Sequence, residues 1–280
     1  MDALAVTDAQ GAFRLGVAEK EVALHVQVEA RNLARRKFPS LRAGPTEHKL
    51  QLGLGVTVMG KVVKDGKPLP GVVIGLAHQN RMAEKFLGDQ KIRTDDLGQF
   101  LFRNVPANEG YVVYGLMESC RLHGAIKAQA MHLGADGTRK DLGVLTMEAA
   151  LRLAGRLVLS DDRPLPTGIR MSLSREGPWD SQVAQVAADG SFAFTGLPAE
   201  GYSLRTKVPS YHLSSKNTSY DLTGLSLVGR VDKDITALRV LLEPGVPQRP
   251  DFSRFTSTDF QKMERRRNHA LEGAPATETK

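Results

Sequence analysis

Few side chains in this 280-residue sequence are spaced for chemistry. The seven histidines, at positions 25, 48, 78, 123, 132, 212 and 269, form no His-x-x-Glu or His-Glu-x-x-His pair, so the close ligand spacing of a zinc peptidase is absent. Ser210-Tyr211-His212 brings a hydroxyl near an imidazole, but no third group stands ready to orient the histidine and no Gly-x-Ser-x-Gly elbow occurs. Asp95-Asp96 ahead of Gly98, and Asp161-Asp162, offer carboxylates to a hard cation. Calcium takes about six to eight oxygen ligands and the EF-hand spacing is missing, so aspartate beside glycine reads as turn chemistry, with weak loop-bound calcium as the alternative. Tyr202, Tyr211, His212 and Tyr220 have the residue types of a two-tyrosine, two-histidine iron site without its spacing. Trp179, the one tryptophan, is the candidate for an exposed binding surface that stacks on a sugar or peptide. The expectation is no catalytic residue, no metal and no cofactor.

Composition around these residues is that of a soluble globular chain, 41% hydrophobic and 25% charged, with 27 glycines and 14 prolines favouring turns. No run approaches the roughly 18 apolar residues a membrane-spanning helix needs, and the first ten residues lack a signal-peptide pattern. Cys120 is alone and cannot form an intramolecular disulfide. The net charge of +7 would suit an anionic partner, but the excess sits in four arginines and a lysine between 31 and 42 and in Arg265-Arg266-Arg267, without an aromatic stacking platform. Nucleic acid is therefore not favoured, and the charge reads as solvated loop and tail.

The elements that would position a site are legible as repeats. Gly11-x-Phe13, Gly98-x-Phe100 and Gly190-x-Phe192 recur about 90 residues apart, too far for a solenoid repeat of about 20–50 residues and right for whole domains in tandem. Upstream of the second and third copies, VTVMGKVVKDGKPLPGVVIGLA (56–77) and LRLAGRLVLSDDRPLPTGIRMSL (151–173) share Gly-[Lys/Arg]-x-Val, a polar turn and [Lys/Arg]-Pro-Leu-Pro. Each predicts strand, turn, strand: Asp65-Gly66 is a hairpin signal, and Pro68 and Pro70 suit an edge or turn where no ladder hydrogen bond is donated. Downstream, VPANEGYVVYG answers LPAEGYSLRTKV, and each unit closes on an alternating stretch: Leu50/Leu52, Leu142/Val144 and Leu238/Val240/Leu242. Phe13, Phe100, Phe102, Phe192 and Phe194 are predicted core residues. Short strands, frequent turns and no convincing amphipathic helix predict antiparallel β-sandwiches.

These residues resemble the carboxypeptidase regulatory-like domain, a transthyretin-like or prealbumin-like sandwich that bacteria string in tandem. The resemblance is carried by Gly60, Pro68, Pro70 and Gly71, then by Asp95, Gly98, Phe100, Phe102 and Pro106. Gly155, Pro164, Pro166, Gly190, Phe192, Phe194 and Pro198 answer them in the third unit, where Thr167 intervenes before Gly168 and Ala187-Ala188 replace Thr94-Asp95. It implies an all-β fold of tandem seven-stranded, Greek-key, Ig-like antiparallel sandwiches. The expected domains are 55–147 and 148–243, preceded by a partial sandwich at 1–54 that lacks its opening strands and followed by a basic, loosely ordered tail at 244–280, with a short helix within 258–271. A first unit without its opening hairpin implies that Met1 lies inside a domain, with a signal peptide or anchor further upstream.

The function expected is that of a non-catalytic structural or binding module in a larger cell-envelope or secreted bacterial protein. The family name comes from a domain that accompanies metallocarboxypeptidases, and this association carries no peptidase activity into the chain. The alternative is a carbohydrate- or peptide-binding accessory region of an enzyme encoded upstream, since such sandwiches are akin to starch-binding domains. The implied partner is a protein or glycan, the implied location extracytoplasmic, and any membrane contact would come through an upstream segment.

Overall fold

The structure, a computed structural model, describes residues 5–16, 23–80, 86–178, 180–217, 219–223 and 225–245. It begins with a hairpin in which β1 (Ala23–Val28) pairs antiparallel with β2 (Arg36–Arg42). The side chains of β1 alternate between exposed and half-buried, as expected of a ribbon with no complete second layer over it.

The second unit is a sandwich of two four-stranded sheets. β3 (Val56–Lys64) turns into the short β4 (Lys67–Pro68) through Asp65 and Gly66, whose φ values of 50° and 75° give the paired positive φ of a two-residue type I′ turn. There follow β5 (Val73–His78), β6 (Gln90–Arg93), β7 (Gln99–Val105), β8 (Gly110–Gly115), the single-turn α1 (Met117–Cys120), β9 (Gln129–His132) and β10 (Arg139–Thr146). β3 lies between β7 and β10 in one sheet, and the other sheet runs β6-β5-β8-β9.

The third unit repeats the plan with β11 (Leu151–Leu159), β12 (Arg170–Arg175), β13 (Ser181–Gln185), β14 (Ser191–Leu197), β15 (Glu200–Thr206), β16 (Tyr211–Leu213), β17 (Asp221–Thr223), β18 (Ser226–Val231) and β19 (Ile235–Pro244). Its sheets run β14-β11-β19-β16 and β13-β12-β15-β18-β17, so β16 and β17 are additions to the shared seven-strand plan. One pairing in each sandwich departs from the antiparallel expectation: the last strand lies parallel to the first, β10 on β3 and β19 on β11. Parallel neighbours need a long crossover, and here the whole of the intervening sandwich supplies it.

Alternation builds the two cores. Along β14, Phe192 and Phe194 are buried while Ser191, Ala193 and Thr195 face out, and β7 repeats this with Phe100 and Phe102 inside. Both phenylalanine pairs meet edge to face, with ring centroids 6.1 Å apart at 63° in the second unit and 6.1 Å apart at 62° in the third. Each buried phenylalanine contributes roughly 1.5–3 kcal/mol.

Candidate functional site

The repeated motif builds a corner. The Asp95 carboxylate accepts the backbone N–H groups of Leu97 (3.0 Å) and Gln99 (2.7 Å), the Asx-turn use of aspartate. Asp8 holds Gln10 (3.0 Å) and Ala12 (2.8 Å) in the same way, and Asp189 holds Ser191 (2.9 Å) in the third unit, where the backbone pairing of Gly190 with Ala187 puts Ala187, not Ala188 as the sequence alignment has it, in the place of the corner aspartate. The glycine of the corner packs on the opening strand: the Gly98 carbonyl accepts the Val62 N–H at 2.7 Å, and the Gly190 carbonyl accepts the Leu157 N–H at 2.8 Å. Both glycines have positive φ, 72° and 86°, and a Cβ on either would collide with the carbonyl oxygen of that same strand residue. Gly60 and Gly155 stand across from Phe100 and Phe192, and a Cβ on Gly60 would lie 2.6 Å from the Phe100 ring. In the Pro-Leu-Pro segments Pro68, Pro70, Pro164 and Pro166 are exposed, whereas the leucines between them, Leu69 and Leu165, pack against the two cores. Gly71 carries a positive φ of 80° in open space. Pro106 and Pro198 offer their carbonyls to the hydroxyls of Tyr111 (3.3 Å) and Tyr202 (2.8 Å), which ties the start of β8 and β15 to the preceding corner.

A different set of residues joins the second and third units. Arg175, at the end of β12, is fully buried. Its Nε and Nη2 donate to the Glu200 carboxylate at 2.9 and 2.7 Å, while Nη1 and Nη2 donate to the carbonyls of Gly115 (2.8 Å) and Ile126 (3.2 Å) in the second unit. Its guanidinium carbon lies 5.5 Å from the centre of the Tyr114 ring, which is close enough for a cation–π contact. Glu200 also accepts the Ala128 N–H, and Asp180 accepts the Met117 N–H at 2.7 Å. Met117, in α1 of the second unit, buries its side chain in the core of the third. Gly196, with φ of 75°, lets β14 approach α1, and a Cβ there would lie 2.6 Å from Arg121 Cβ.

The electrostatics of this joint follow from burial. Desolvation works against the Arg175 charge, and the hydrogen bonds and charge of Glu200, with Tyr202 and Asp180 in support, outweigh it and hold its pKa above the ordinary value. Asp180 Oδ2 is 3.6 Å from Arg175 Nη1, too long for a good hydrogen bond. Burial therefore prevails there and holds the Asp180 carboxyl above the usual carboxylate range, against the pull of the Met117 N–H and of Arg175. Burial also pushes the thiol of Cys120, on α1, up to about 11.

The junction between the hairpin and the second unit has the same address and a different build. His78 ends β5 as Arg175 ends β12, and each lies across from a tyrosine, Tyr111 or Tyr202. Glu109 precedes Gly110-Tyr111 as Glu200 precedes Gly201-Tyr202. His78 is buried, its ring meets Tyr111 edge-on at 5.3 Å, and its Nε2 lies 3.5 Å from Glu109 Oε2 without the alignment of a hydrogen bond. It looks into a cleft of about 530 Å³ lined by Arg36, Phe38, Leu52 and Asn108 among others. Contacts across this junction are peripheral: Asp136 accepts the N–H groups of Leu54 (2.9 Å) and Gly55 (2.6 Å), and Asn104 Nδ2 donates to the carbonyls of Asn32 and Leu54, both at 2.7 Å.

No group of three or more histidine, cysteine, aspartate or glutamate side chains suited to a metal occurs among the described residues. The Tyr202 hydroxyl donates to Pro198 and the Tyr211 hydroxyl to Asp161 (2.8 Å), so these two members of the tyrosine–histidine window face different partners. Trp179 and residues 246–280 lie outside the described residues. Arg175, Asp180, Glu200 and Met117 were not singled out in the sequence. The signal that could have found them is the recurring acid in Glu-Gly-Tyr, because an acid at the start of a buried strand needs a partner.

No protein-family model matches the chain, and no curated protein matches it. Among solved structures it is similar to GBS52, the minor pilin of Streptococcus agalactiae, at 12% identity over 70% of this chain and 98% of that one, with a TM-score of 0.34. A streptococcal ancillary pilin is 16% identical over 79% of this chain and 74% of its own, with a TM-score of 0.33. The shaft pilin SpaA of Lactobacillus rhamnosus GG is 12% identical over 68% of this chain and 98% of its own, with a TM-score of 0.25. Scores this low mean that the chains do not superpose as wholes, so the reading of this molecule rests on its own strands and contacts.

Proposed function

We propose that this chain is a non-catalytic spacer of tandem β-sandwich modules, of the carboxypeptidase regulatory-like kind, in which the second and third modules move as one body. The observation that carries this reading is the buried Arg175, which bonds to its own module through Glu200 and to the neighbouring one through the Gly115 and Ile126 carbonyls. A flexible linkage between domains normally has a small, wet interface. Here a buried cation would be left unsatisfied if the modules swung apart, and Met117 would be pulled from a core, so bending is penalised at both points. A stiff spacer of this kind suits an extracytoplasmic protein that must hold another domain at a distance, and the family resemblance points to the cell envelope or to secretion. Calorimetry of the intact chain tests the coupling. The second and third modules are expected to melt in one cooperative transition that splits in Arg175→Ala; two independent transitions in the unaltered chain would refute it.

A second reading, capture of a glycan or peptide as the accessory region of a larger enzyme, is favoured by the cleft at His78. It has apolar walls in Phe38 and Leu52, polar groups in Asn108 and Glu109, and an imidazole nitrogen with no hydrogen-bond partner. Ring-proton shifts of His78 on titration with short glycans and peptides test it, and unmoved resonances at saturating ligand would end it.

A further inference from the structure

The sealed joint shows what the open one is shaped to receive. Arg175, Glu200 and Tyr202 correspond to His78, Glu109 and Tyr111. At the sealed joint the preceding module delivers a side chain, that of Met117, to the third core, the Gly115 and Ile126 carbonyls to Arg175, and the Ala128 N–H to Glu200. At the open joint the loop between β1 and β2 offers the cleft a methyl group, that of Ala34, where α1 offers the side chain of Met117. Asn104, with φ of 53°, stands where Gly196 stands with φ of 75°, and its side chain holds that loop by the Asn32 carbonyl at 2.7 Å. His78 is 8% exposed, and its Nδ1 is taken by the backbone of Asn80, with the N–H at 3.1 Å and the carbonyl at 2.9 Å. The Glu109 carboxylate, 3.5 Å from Nε2, favours a proton on that nitrogen, which has no hydrogen-bond partner among the described residues. A buried donor without an acceptor is costly, and one that looks into a cavity is satisfied by whatever fills it.

On the footing that this cleft captures a ligand, we propose that the ligand is a peptide segment of a partner protein in which a methionine or leucine is followed by an acid, the order of Met117-Glu118. The apolar side chain lies against Phe38, Leu52 and Leu76. A backbone carbonyl of the segment accepts the Nε2–H of His78, as the Gly115 carbonyl accepts Arg175, and a backbone N–H donates to the Glu109 carboxylate, as the Ala128 N–H donates to Glu200. The acid is drawn to the mouth of the cleft by Arg35, Arg36 and Lys37 on the side of β2. At about 530 Å³ the space falls within the roughly 300–1,000 Å³ of small-ligand sites. A sugar fits it less well, because stacking needs an open aromatic face: the Arg36 guanidinium sits 4.9 Å over the Phe38 ring, and Tyr111 is buried with its ring edge-on to His78.

The test uses the full chain and the capped, labelled peptide GLMES, the sequence of residues 115–119, read by the ring protons of His78 and by fluorescence anisotropy. Saturable binding that shifts His78 is expected. Met117→Asp in the peptide is expected to weaken binding by about tenfold or more, and Glu118→Lys in the peptide by about threefold, a difference that shrinks at high salt. In the chain, His78→Gln keeps an N–H near the place of Nε2 and is expected to bind within about threefold of the parent, whereas His78→Phe loses about tenfold. Unchanged amide exchange in β5 and β8 shows that both variants are folded, and Leu52→Asp on the half-buried wall, with the same expected loss, serves if His78→Phe is not. Equal binding of GLMES and its aspartate variant, with His78 shifted, overturns the apolar plug while the cleft remains a capture site. Shifts with maltotriose and none with GLMES overturn the peptide in favour of a glycan. No shift with either overturns the capture reading as well.

Discussion

The two junctions in this chain occupy the same structural address and end in opposite states. Each sits where the second strand of a sandwich meets an acid from a Glu-Gly-Tyr segment, with Arg175 and Glu200 at one and His78 and Glu109 at the other. The first is sealed and the second holds a cleft of about 530 Å³. Part of the difference is the length of the loop that the preceding unit offers. Between β8 and β9 there is room for α1, whose Met117 plugs the third core and whose flanking carbonyls receive the guanidinium. Between β1 and β2 only residues 29–35 intervene, and they carry no helix. The other part is the reach of the cation. Arginine presents five donors in a planar fork and can satisfy its own acid and the neighbour's carbonyls at once, which an imidazole with two nitrogens cannot do. One scaffold position thus makes a sealed joint or an open one, depending on two local features.

Replacement of the cation breaks this comparison most severely. Arg175→Ala takes the cation away from the buried Asp180 and the half-buried Glu200 and is expected to destabilise the second and third modules by about 3–5 kcal/mol in denaturant titration. His78→Ala, at the equivalent position beside an open cleft, is expected to cost about 1–2 kcal/mol. Equal losses would remove the distinction between the junctions. Met117→Ala follows at about 2–4 kcal/mol, because a methionine buried in the neighbouring core leaves a cavity across the joint.

The corner glycines provide a finer comparison. Alanine at either position meets the left-handed backbone penalty of about 1–2 kcal/mol. Gly98→Ala must also displace Val62 and is expected to exceed that value, whereas Gly11→Ala, in open space, is expected to stay within it. Thermal shifts of the two variants, measured side by side, check the order.

Asp180 gives the smallest effect and one with a sign. Its pKa is raised by burial, so the folded state holds its proton more tightly than the unfolded state does. The associated stability is present at low pH and is lost as pH rises through the folded value. Asp180→Asn, fixed in the neutral form, should therefore gain in melting temperature relative to the parent as pH goes from about 3 to about 7. A constant difference across that range would show that the carboxyl is not held high.

The sandwiches themselves were legible in the sequence because their causes are local. Asp65-Gly66 has the only short-range geometry that folds β3 back, and the spacing of Phe100 with Phe102 and of Phe192 with Phe194 fixes which face of the strand goes inside. The parallel closing strands were not legible, since the pairing of β10 with β3 spans the whole intervening sandwich and leaves no local signal. Arg175 was hidden for a similar reason. In Leu-Ser-Arg-Glu-Gly-Pro it reads as a charged residue entering a surface turn, and its burial depends on Glu200 and on carbonyls of the preceding module. Leu69 and Leu165 were masked by the prolines around them, which mark the edge but leave the packing to the leucine.

The central claim, that the second and third modules form one rigid body, is tested most directly by the distance distribution between two spin labels. Lys140 and Arg239 are exposed and lie on the closing strands of the two modules, so cysteines there report on the joint without entering it. Cys120 is buried, with its thiol pushed up to about 11, and stays unlabelled near neutral pH. A single narrow distribution is predicted for the otherwise unaltered chain, broadening in Arg175→Ala. A broad distribution in the parent, or the same width in both, would contradict a rigid joint.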